Sequence, residues 1–211
     1  MKFSKVVMAL VCSLAVAPAM ALEGDADAGK NKAAVCGACH GADGNSDAPA
    51  NPKLAGQGEA YLVKQLMNFK SGERENAIMM GQAQGLSEQD MADLAAYYAS
   101  QSIEVGQADP ALVEAGERIY RGGNMATGLS ACAGCHGPAG AGIDAAGFPA
   151  LGGQHAAYTV AQLKAFRAAG RNDEKGPKRA NDPNAMMRSV AAKMSDDEIK
   201  AVASYISGLS Q

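Results

Sequence analysis

Tryptophan is absent from the 211 residues and aromatic side chains make up 5% of them, so large rings supply little of any core. Histidine occurs three times and cysteine five. Beyond the first residues no apolar run approaches the ~20 positions that span a bilayer, and no alternating stretch of useful length argues for strands. No basic strip interleaved with aromatics accompanies the formal net charge of −3, which argues against a nucleic-acid partner.

The opening residues carry Lys2 and Lys5, an apolar run from Val6 to Ala17 and then Ala19-Met20-Ala21. This is the pattern of a secretory signal with an A-x-A cleavage site, so the mature chain is expected to begin near Leu22 after cleavage at Ala21, with the product exported to the periplasm. Cys12 falls inside the leader. A lipid-modified Cys12 is the alternative, for which Val11 is a poor preceding residue. The other four cysteines leave nothing for a disulfide framework, although an oxidising compartment would permit one.

Those four fall in Cys36-Gly37-Ala38-Cys39-His40 and Cys132-Ala133-Gly134-Cys135-His136. C-x-x-C-H is the attachment signature of c-type haem: two thiols add across the porphyrin vinyl groups and the next residue supplies an imidazole to the iron. Two other readings compete. Structural zinc normally takes its second ligand pair from about 12 to 20 residues further on, whereas these motifs begin at positions 36 and 132, 96 apart. A thioredoxin-type disulfide leaves the adjoining histidine unexplained in both places. A haem in each half also answers the shortage of rings, because a domain of about 90 residues is marginal by burial of its own side chains.

The chain is one unit written twice. Leu54-Ala55-Gly56-Gln57 and Tyr61 to Leu66 match Leu151-Gly152-Gly153-Gln154 and Tyr158 to Leu163 at an offset of 97, and Ser87-Glu88-Gln89-Asp90 matches Ser195-Asp196-Asp197-Glu198 at 108. The growth of 11 is an insertion in the second copy, between Arg171 and Asn184, whose Lys, Arg, Asp, Gly and Pro content predicts an exposed loop. Each copy reads as helix, C-x-x-C-H motif, Gly-rich loop, helix, loop, helix. The opening helices are expected over Asp25 to Val35 and Pro110 to Arg121, the second with Asp109 as N-cap. The middle helices run from about Glu59 to Lys70 and Ala156 to Ala169, and the closing helices start at the capping boxes of Ser87 and Ser195. Tyr97, Tyr98 and Tyr205 read as packing near the helix ends. With the linker around Ser102 to Asp109, the domains are taken as 22–104 and 111–211, joined by 105–110. Charge differs between the halves: 6 Lys/Arg against 12 Asp/Glu over residues 22–108 gives −6, and 11 against 10 over 109–211 gives +1. That asymmetry either orients charged redox partners or is a solvated surface.

With two histidines used by the motifs, both irons cannot be bis-histidine. His155, opposite Gly58 of the first copy, reads as a surface residue at a helix start. Methionine is the better sixth ligand, since it numbers 11 and clusters as Met79-Met80 and Met186-Met187 before each closing helix. The 108 offset pairs Met79 with Met187 and Met80 with Arg188, which cannot ligate, so Met79 and Met187 are the symmetric choice; flexible core filling is the alternative. Thioether ligation raises the reduction potential relative to bis-histidine, and a filled coordination sphere argues for outer-sphere electron transfer with no small-molecule substrate. Pro52 and Pro149, 12 and 13 residues after the haem histidines, place a turn carbonyl in reach of each imidazole N–H.

Paired C-x-x-C-H motifs, Gly44-Asn45-Ser46, Pro52-Lys53-Leu54-Ala55-Gly56-Gln57, Pro149-Ala150-Leu151-Gly152-Gly153-Gln154, the Y-x-x-x-Q-L helices, Tyr120-Arg121-Gly122-Gly123 and the paired methionines together resemble the two-haem cytochrome c4 family across the mature chain. The resemblance implies an all-α protein of two tandem class I cytochrome c domains, two covalently bound haem c groups, thioether links at Cys36, Cys39, Cys132 and Cys135, and iron ligation by His40 with Met79 and His136 with Met187. Met80 beside Met79 is the departure from a single first-domain sulfur. The implied function is a periplasmic electron carrier, not an enzyme, loosely associated with the inner membrane and passing electrons from a respiratory donor complex towards a terminal oxidase. The rivals are a haem subunit of a larger dehydrogenase of flavocytochrome type and a two-haem peroxidase.

Overall fold

Asp25 starts the first helix by accepting from the backbone N–H groups of Asp27 and Ala28 at 2.9 and 3.1 Å, which answers donors that a helix start otherwise leaves free. The computed structural model describes residues 22–210. The leader, with Cys12 and the cleavage near Ala21, and residue Gln211 lie outside the described residues. The first half contains α1 (Ala26–Lys32), α2 (Ala34–His40), α3 (Glu59–Ser71), α4 (Ala77–Gln84) and α5 (Glu88–Ala99). The second contains α6 (Val113–Gly122), α7 (Ala133–His136), α8 (Ala156–Arg171), α9 (Met186–Ala191) and α10 (Asp196–Ser207), with 3-10 turns at Asp144–Ala146 and Pro183–Ala185. Among the described residues the only strand-like pairings are isolated bridges at Asn124 with Leu129 and Ile143 with Phe148.

The capping boxes of Ser87 and Ser195 form as the sequence predicts: each hydroxyl accepts from the N–H three residues on, and Asp90 and Glu198 return the bond to the cap backbone. Such a cap contributes about 1 kcal/mol. Three features differ from expectation. The opening helix expected over Asp25 to Val35 ends at Lys32, and a second helix from Ala34 carries the first motif. Helix α6 begins at Val113, because Asp109 spends its side chain on the Ala111 N–H (2.9 Å) and its carbonyl on the Leu112 N–H (2.9 Å), forming a turn before the helix. The helical stretches α4 and α9 fall where the repeat reads as loop.

In each half the first helix crosses the last at a glycine. A Cβ on Gly29 would lie 1.9 Å from the Asp93 carbonyl oxygen, and one on Gly116 would lie 2.4 Å from that of Ala201 and 2.5 Å from Tyr205 Cβ. Only hydrogen lets α1 rest on α5, and α6 on α10, at this distance. The tyrosines pack there as expected. Tyr97 and Tyr98 join Ala33, Leu62, Leu94 and Ala95 in one core, and Tyr120 and Tyr205 join Leu129, Met194, Ile199, Val202 and Ile206 in the other.

The halves are joined by more than chain continuity. The linker backbone is held on both sides: Asn45 bonds to Ser102 and Glu104 in the first half, and Ser207 and Ser204 bond to Gly106, Gln107 and Asp109 from the second. Asp144 of the second half accepts from the Ala60 N–H at 3.1 Å, capping α3 across the junction in place of the side chain that Gly58 lacks. His155, expected on the surface, is half-buried and its Nε2–H donates to the Ser46 carbonyl of the other half at 2.7 Å.

The insertion corrects a second expectation. Residues 171–178 and Ala180 are exposed, but Arg179, Asn181 and Asp182 are buried. Arg179 reaches Tyr61 and Gln65 of the first half and Gln162 and Asn181 of the second at 2.9–3.1 Å, over the Phe166 ring at 4.5 Å. Asn181 donates to Gln65 and Asn68, and Lys64 donates to the Asn181 carbonyl. Arg74 mirrors this from the first half, reaching Tyr158 and Gln162 and lying 4.6 Å over Phe69. Composition predicted solvent exposure because it counts polar residues and cannot see that the other half supplies their partners.

Gly29→Ala and Gly116→Ala are each expected to destabilise by about 1–3 kcal/mol, the cost of forcing a methyl into a packed crossing. Gly122→Ala, whose Cβ meets nothing within 4 Å, is expected to hold or gain stability. Denaturant unfolding of the three variants checks this, and equal losses in all three would dismiss the crossing argument.

Candidate functional site

Helix α2 carries Cys36, Cys39 and His40 on consecutive turns, and Cys132 leads into α7 with Cys135 and His136. Residues three apart on a helix share a face, so each thiol pair points to one side. Among the described residues none of the four is disulfide-bonded. Each helix stops directly after the histidine at a glycine in the left-handed region, Gly41 (φ 81°) and Gly137 (φ 79°), which turns the chain back past the imidazole.

Both imidazoles are buried, and in both the Nδ1–H donates to a proline carbonyl: His40 to Pro52 at 2.8 Å and His136 to Pro149 at 2.9 Å. The sequence spacing anticipated this. With Nδ1 committed as donor, Nε2 keeps its lone pair. Burial lowers both histidines below the ordinary imidazole value, against the opposing pull of the carbonyls, so the ring is neutral, the form that binds a metal.

Tyr97 and Tyr120 donate to the Ala42 and Gly137 carbonyls at 2.9 and 2.7 Å, fastening the loop after each motif to the core. Tyr98, the other ring of the first core, has a buried hydroxyl with no hydrogen-bond partner among the described residues, beside Cys36. Burial pushes the Cys36 thiol up and the Cys132 thiol to about 11. That is the reverse of the depressed thiol a redox dithiol needs. Among the described residues no group of three or more His, Cys, Asp and Glu side chains is assembled for a metal ion, which leaves the zinc alternative without a ligand set. A thiol pair on one helix face and a neutral imidazole with Nε2 free fit a covalently attached haem.

Met79 sits on α4, where the Asn76 side chain accepts from its N–H at 3.0 Å. Met187 sits on α9, which Asp182 anchors by accepting from the Arg188 N–H (3.0 Å) and Nε (2.7 Å). Met79 and Met187 are half-buried, whereas their neighbours Met80 and Met186 are 44% and 39% exposed. The two methionines paired by the repeat are therefore the less exposed of each pair. Sequence reasoning missed Gln57 and Gln154, whose only signal was their recurrence in the Leu-x-Gly-Gln stretches.

The family model for cytochrome c matches residues 26–102 and 113–210. The chain is 52% identical to cytochrome c4 of Pseudomonas aeruginosa over 98% of its own length and 99% of the relative's. The crystal structure of reduced recombinant cytochrome c4 from Pseudomonas stutzeri superposes with a TM-score of 0.82 at 54% identity, covering 88% of this chain and 99% of that one. A thiosulfate dehydrogenase electron acceptor of Stutzerimonas stutzeri is 41% identical over 87% of this chain and 83% of its own.

Tyr120→Phe is expected to cost about 1 kcal/mol, because it removes the bond that ties the Gly137 carbonyl to the core and leaves that oxygen the Gly140 N–H alone, while Tyr98→Phe stays within about 0.5 kcal/mol of the parent protein. Denaturant unfolding of the two haem-loaded variants makes the comparison; a Tyr98→Phe loss as large as that of Tyr120→Phe contradicts it.

Proposed function

Since the chain belongs to the cytochrome c4 family, an electron carrier with two covalently bound haem c groups and not an enzyme, we propose that it works in the periplasm, taking single electrons from a respiratory donor complex and passing them towards a terminal oxidase. The observation that carries this reading is one arrangement present twice in a single hydrogen-bonded body: a helix-borne C-x-x-C-H, an imidazole tied to a proline carbonyl and a half-buried methionine. The domains are taken as 22–104 and 111–211 with 105–110 between them, and loose attachment to the inner membrane is part of the proposal.

Cys36 with Cys39, and Cys132 with Cys135, would hold the haems by thioether links. His40 with Met79, and His136 with Met187, would close the two faces of each iron. When bound, the haem supplies reversible one-electron chemistry at its iron. The chain's part is to keep that chemistry outer-sphere. Pro52 and Pro149 carbonyls hold the Nδ1 protons and so fix which ring nitrogen faces the metal. Burial of His40 and His136 keeps water from competing for it. Asn76 and Asp182 anchor the starts of the methionine helices, which holds each sulfur's backbone in place.

A second reading, electron acceptor to a thiosulfate-oxidising dehydrogenase, is favoured by the 41% identity to a relative of that description. Turnover with oxidase-containing membranes, compared with reduction by a thiosulfate dehydrogenase, separates the two. Rapid reduction by the dehydrogenase with no transfer to the membranes would sink the respiratory proposal.

An optical redox titration is expected to show two one-electron haems, both with the methionine-ligated ferric signature. Met79→Leu and Met187→Leu each remove half of that signature, and Met80→Leu leaves it whole. Loss on Met80→Leu with retention on Met79→Leu reassigns the first-domain ligand.

A further inference from the structure

Gln57 and Gln154 are buried at 7% and 6% exposure, and each spends its side chain on the opposite half. Gln57 Nε2 donates to the Ala150 carbonyl at 3.0 Å while its Oε1 accepts from the Ala150 N–H at 2.8 Å and from its own neighbour, the Gly58 N–H, at 3.0 Å. Gln154 repeats the pattern: Nε2 to the Lys53 carbonyl at 2.9 Å, Oε1 from the Lys53 N–H at 2.9 Å and from the His155 N–H at 3.0 Å. The peptide group that gives its N–H to Gln57 is the Pro149–Ala150 unit, and its carbonyl is the one that accepts from His136. The Pro52–Lys53 unit likewise faces Gln154 with its N–H and His40 with its carbonyl. Two continuous chains result: His136 Nδ1–H to Pro149 carbonyl, then Ala150 N–H to Gln57; and His40 Nδ1–H to Pro52 carbonyl, then Lys53 N–H to Gln154.

We propose that Gln57 and Gln154 are positioning residues acting crosswise, each setting the electron-donating strength of the haem imidazole in the opposite half. The proposal rests on the reading of His40 and His136 as iron ligands. A peptide whose N–H is engaged has a more negative carbonyl oxygen, since linked hydrogen bonds polarise one another. A stronger acceptor draws the Nδ1 proton further and makes Nε2 more basic. A more basic ligand favours ferric iron and lowers the potential, second-shell hydrogen bonding being one of the protein's means of tuning a haem. Burial makes the effect depend on the glutamine, because water does not reach the N–H to replace it. The coupling is reciprocal: a change at either iron alters the bond by which one half holds the other.

The test uses the haem-loaded protein, with each haem's potential followed through its own paramagnetically shifted NMR signals and the histidine Nδ1–H resonances recorded in the reduced state. Gln57→Leu is expected to raise the potential of the second-half haem about threefold in its reduction equilibrium constant, about 28 mV at 59 mV per decade for one electron. The His136 Nδ1–H resonance moves to lower frequency in the same variant, and the first-half haem changes by less than a third as much. Gln154→Leu gives the mirror result at His40. Gln57→Met and Gln154→Met, unbranched and of similar length, serve where leucine disturbs folding. Asp144→Ala, which removes a junction hydrogen bond outside both chains, moves neither haem. A shift confined to the variant's own half, equal shifts in both haems, or no shift overturns the proposal. Failure of the ligand reading shows separately, as parent protein whose His40 and His136 ring signals carry no haem ring-current shift.

Discussion

A buried imidazole has two nitrogens, and where one is to be offered to a metal the fold must answer the other. An unanswered N–H in that position costs about 1–3 kcal/mol and leaves the ring free to present the wrong tautomer. In both halves the answer is a proline carbonyl. Proline suits the role because its ring fixes φ and it carries no N–H of its own, so the turn has few ways to rotate its carbonyl away. Much of the surrounding loop serves to hold that turn. The Gly44 carbonyl takes the Leu54 N–H at 2.7 Å and the Gly140 carbonyl takes the Leu151 N–H at 2.7 Å, which pins the strand of chain after each proline against the loop after each histidine. A side chain at Gly44 would meet the Ala55 nitrogen at 2.7 Å, and one at Gly140 the Gly152 nitrogen at 2.7 Å.

The junction combines a symmetric part with an asymmetric one. The glutamine pair, and the tyrosines that receive Arg74 and Arg179, follow from repetition: the same residues recur in both copies, so a contact made one way is also made in return. The insertion breaks this equivalence. Its Asp182 caps the helix that carries Met187, while its Arg179 and Asn181 grip α3 of the other half. In the first half the corresponding helix is capped by the local Asn76. Both methionine segments follow an arginine that reaches the other half, Arg74 or Arg179, and the insertion adds Asn181 to that grip. Arg179 is buried with no carboxylate of the described residues within ion-pair distance, its charge spread over four neutral oxygens and an aromatic face. Removing one such neighbour costs more than the bond it makes, since a buried charge left without its partners carries a penalty of several kcal/mol.

Much of this was legible in the sequence because it depends on local spacing. The capping boxes at Ser87 and Ser195, the middle helices, the cysteine and histidine order and the proline carbonyls all follow from positions within about 13 residues of one another. Met79 and Met187 were paired by the repeat, and each is the less exposed methionine of its pair. What escaped depends on contacts across the whole chain. His155 read as a surface residue because its partner, the Ser46 carbonyl, lies 109 positions away. The insertion read as an exposed loop because the acceptors for Arg179 lie on α3 as well as α8. Gly29 and Gly116 drew no notice as helical glycines, since the atom that forbids a Cβ belongs to a helix far along the chain. The late start of α6 has a local cause, the competition of Asp109 for the turn, which a capping pattern alone does not separate from a true N-cap.

The reciprocity of the glutamines explains why duplication suits this fold. In a half standing alone, Gln57 would face solvent, and water would satisfy both ends of its amide at no cost. Once two halves meet, the amide loses that water and must find a donor and an acceptor on one rigid partner. The residue after each proline presents its N–H and C=O to the same side, as a rung of an antiparallel ladder does, and both copies carry such a residue because both carry the Pro-x-Leu-x-Gly-Gln pattern. The surface that best satisfies the glutamine is therefore the back of the turn that holds the histidine. Apposition of two such copies joins the support of each histidine to the other half, with no residue added beyond those that each copy already had.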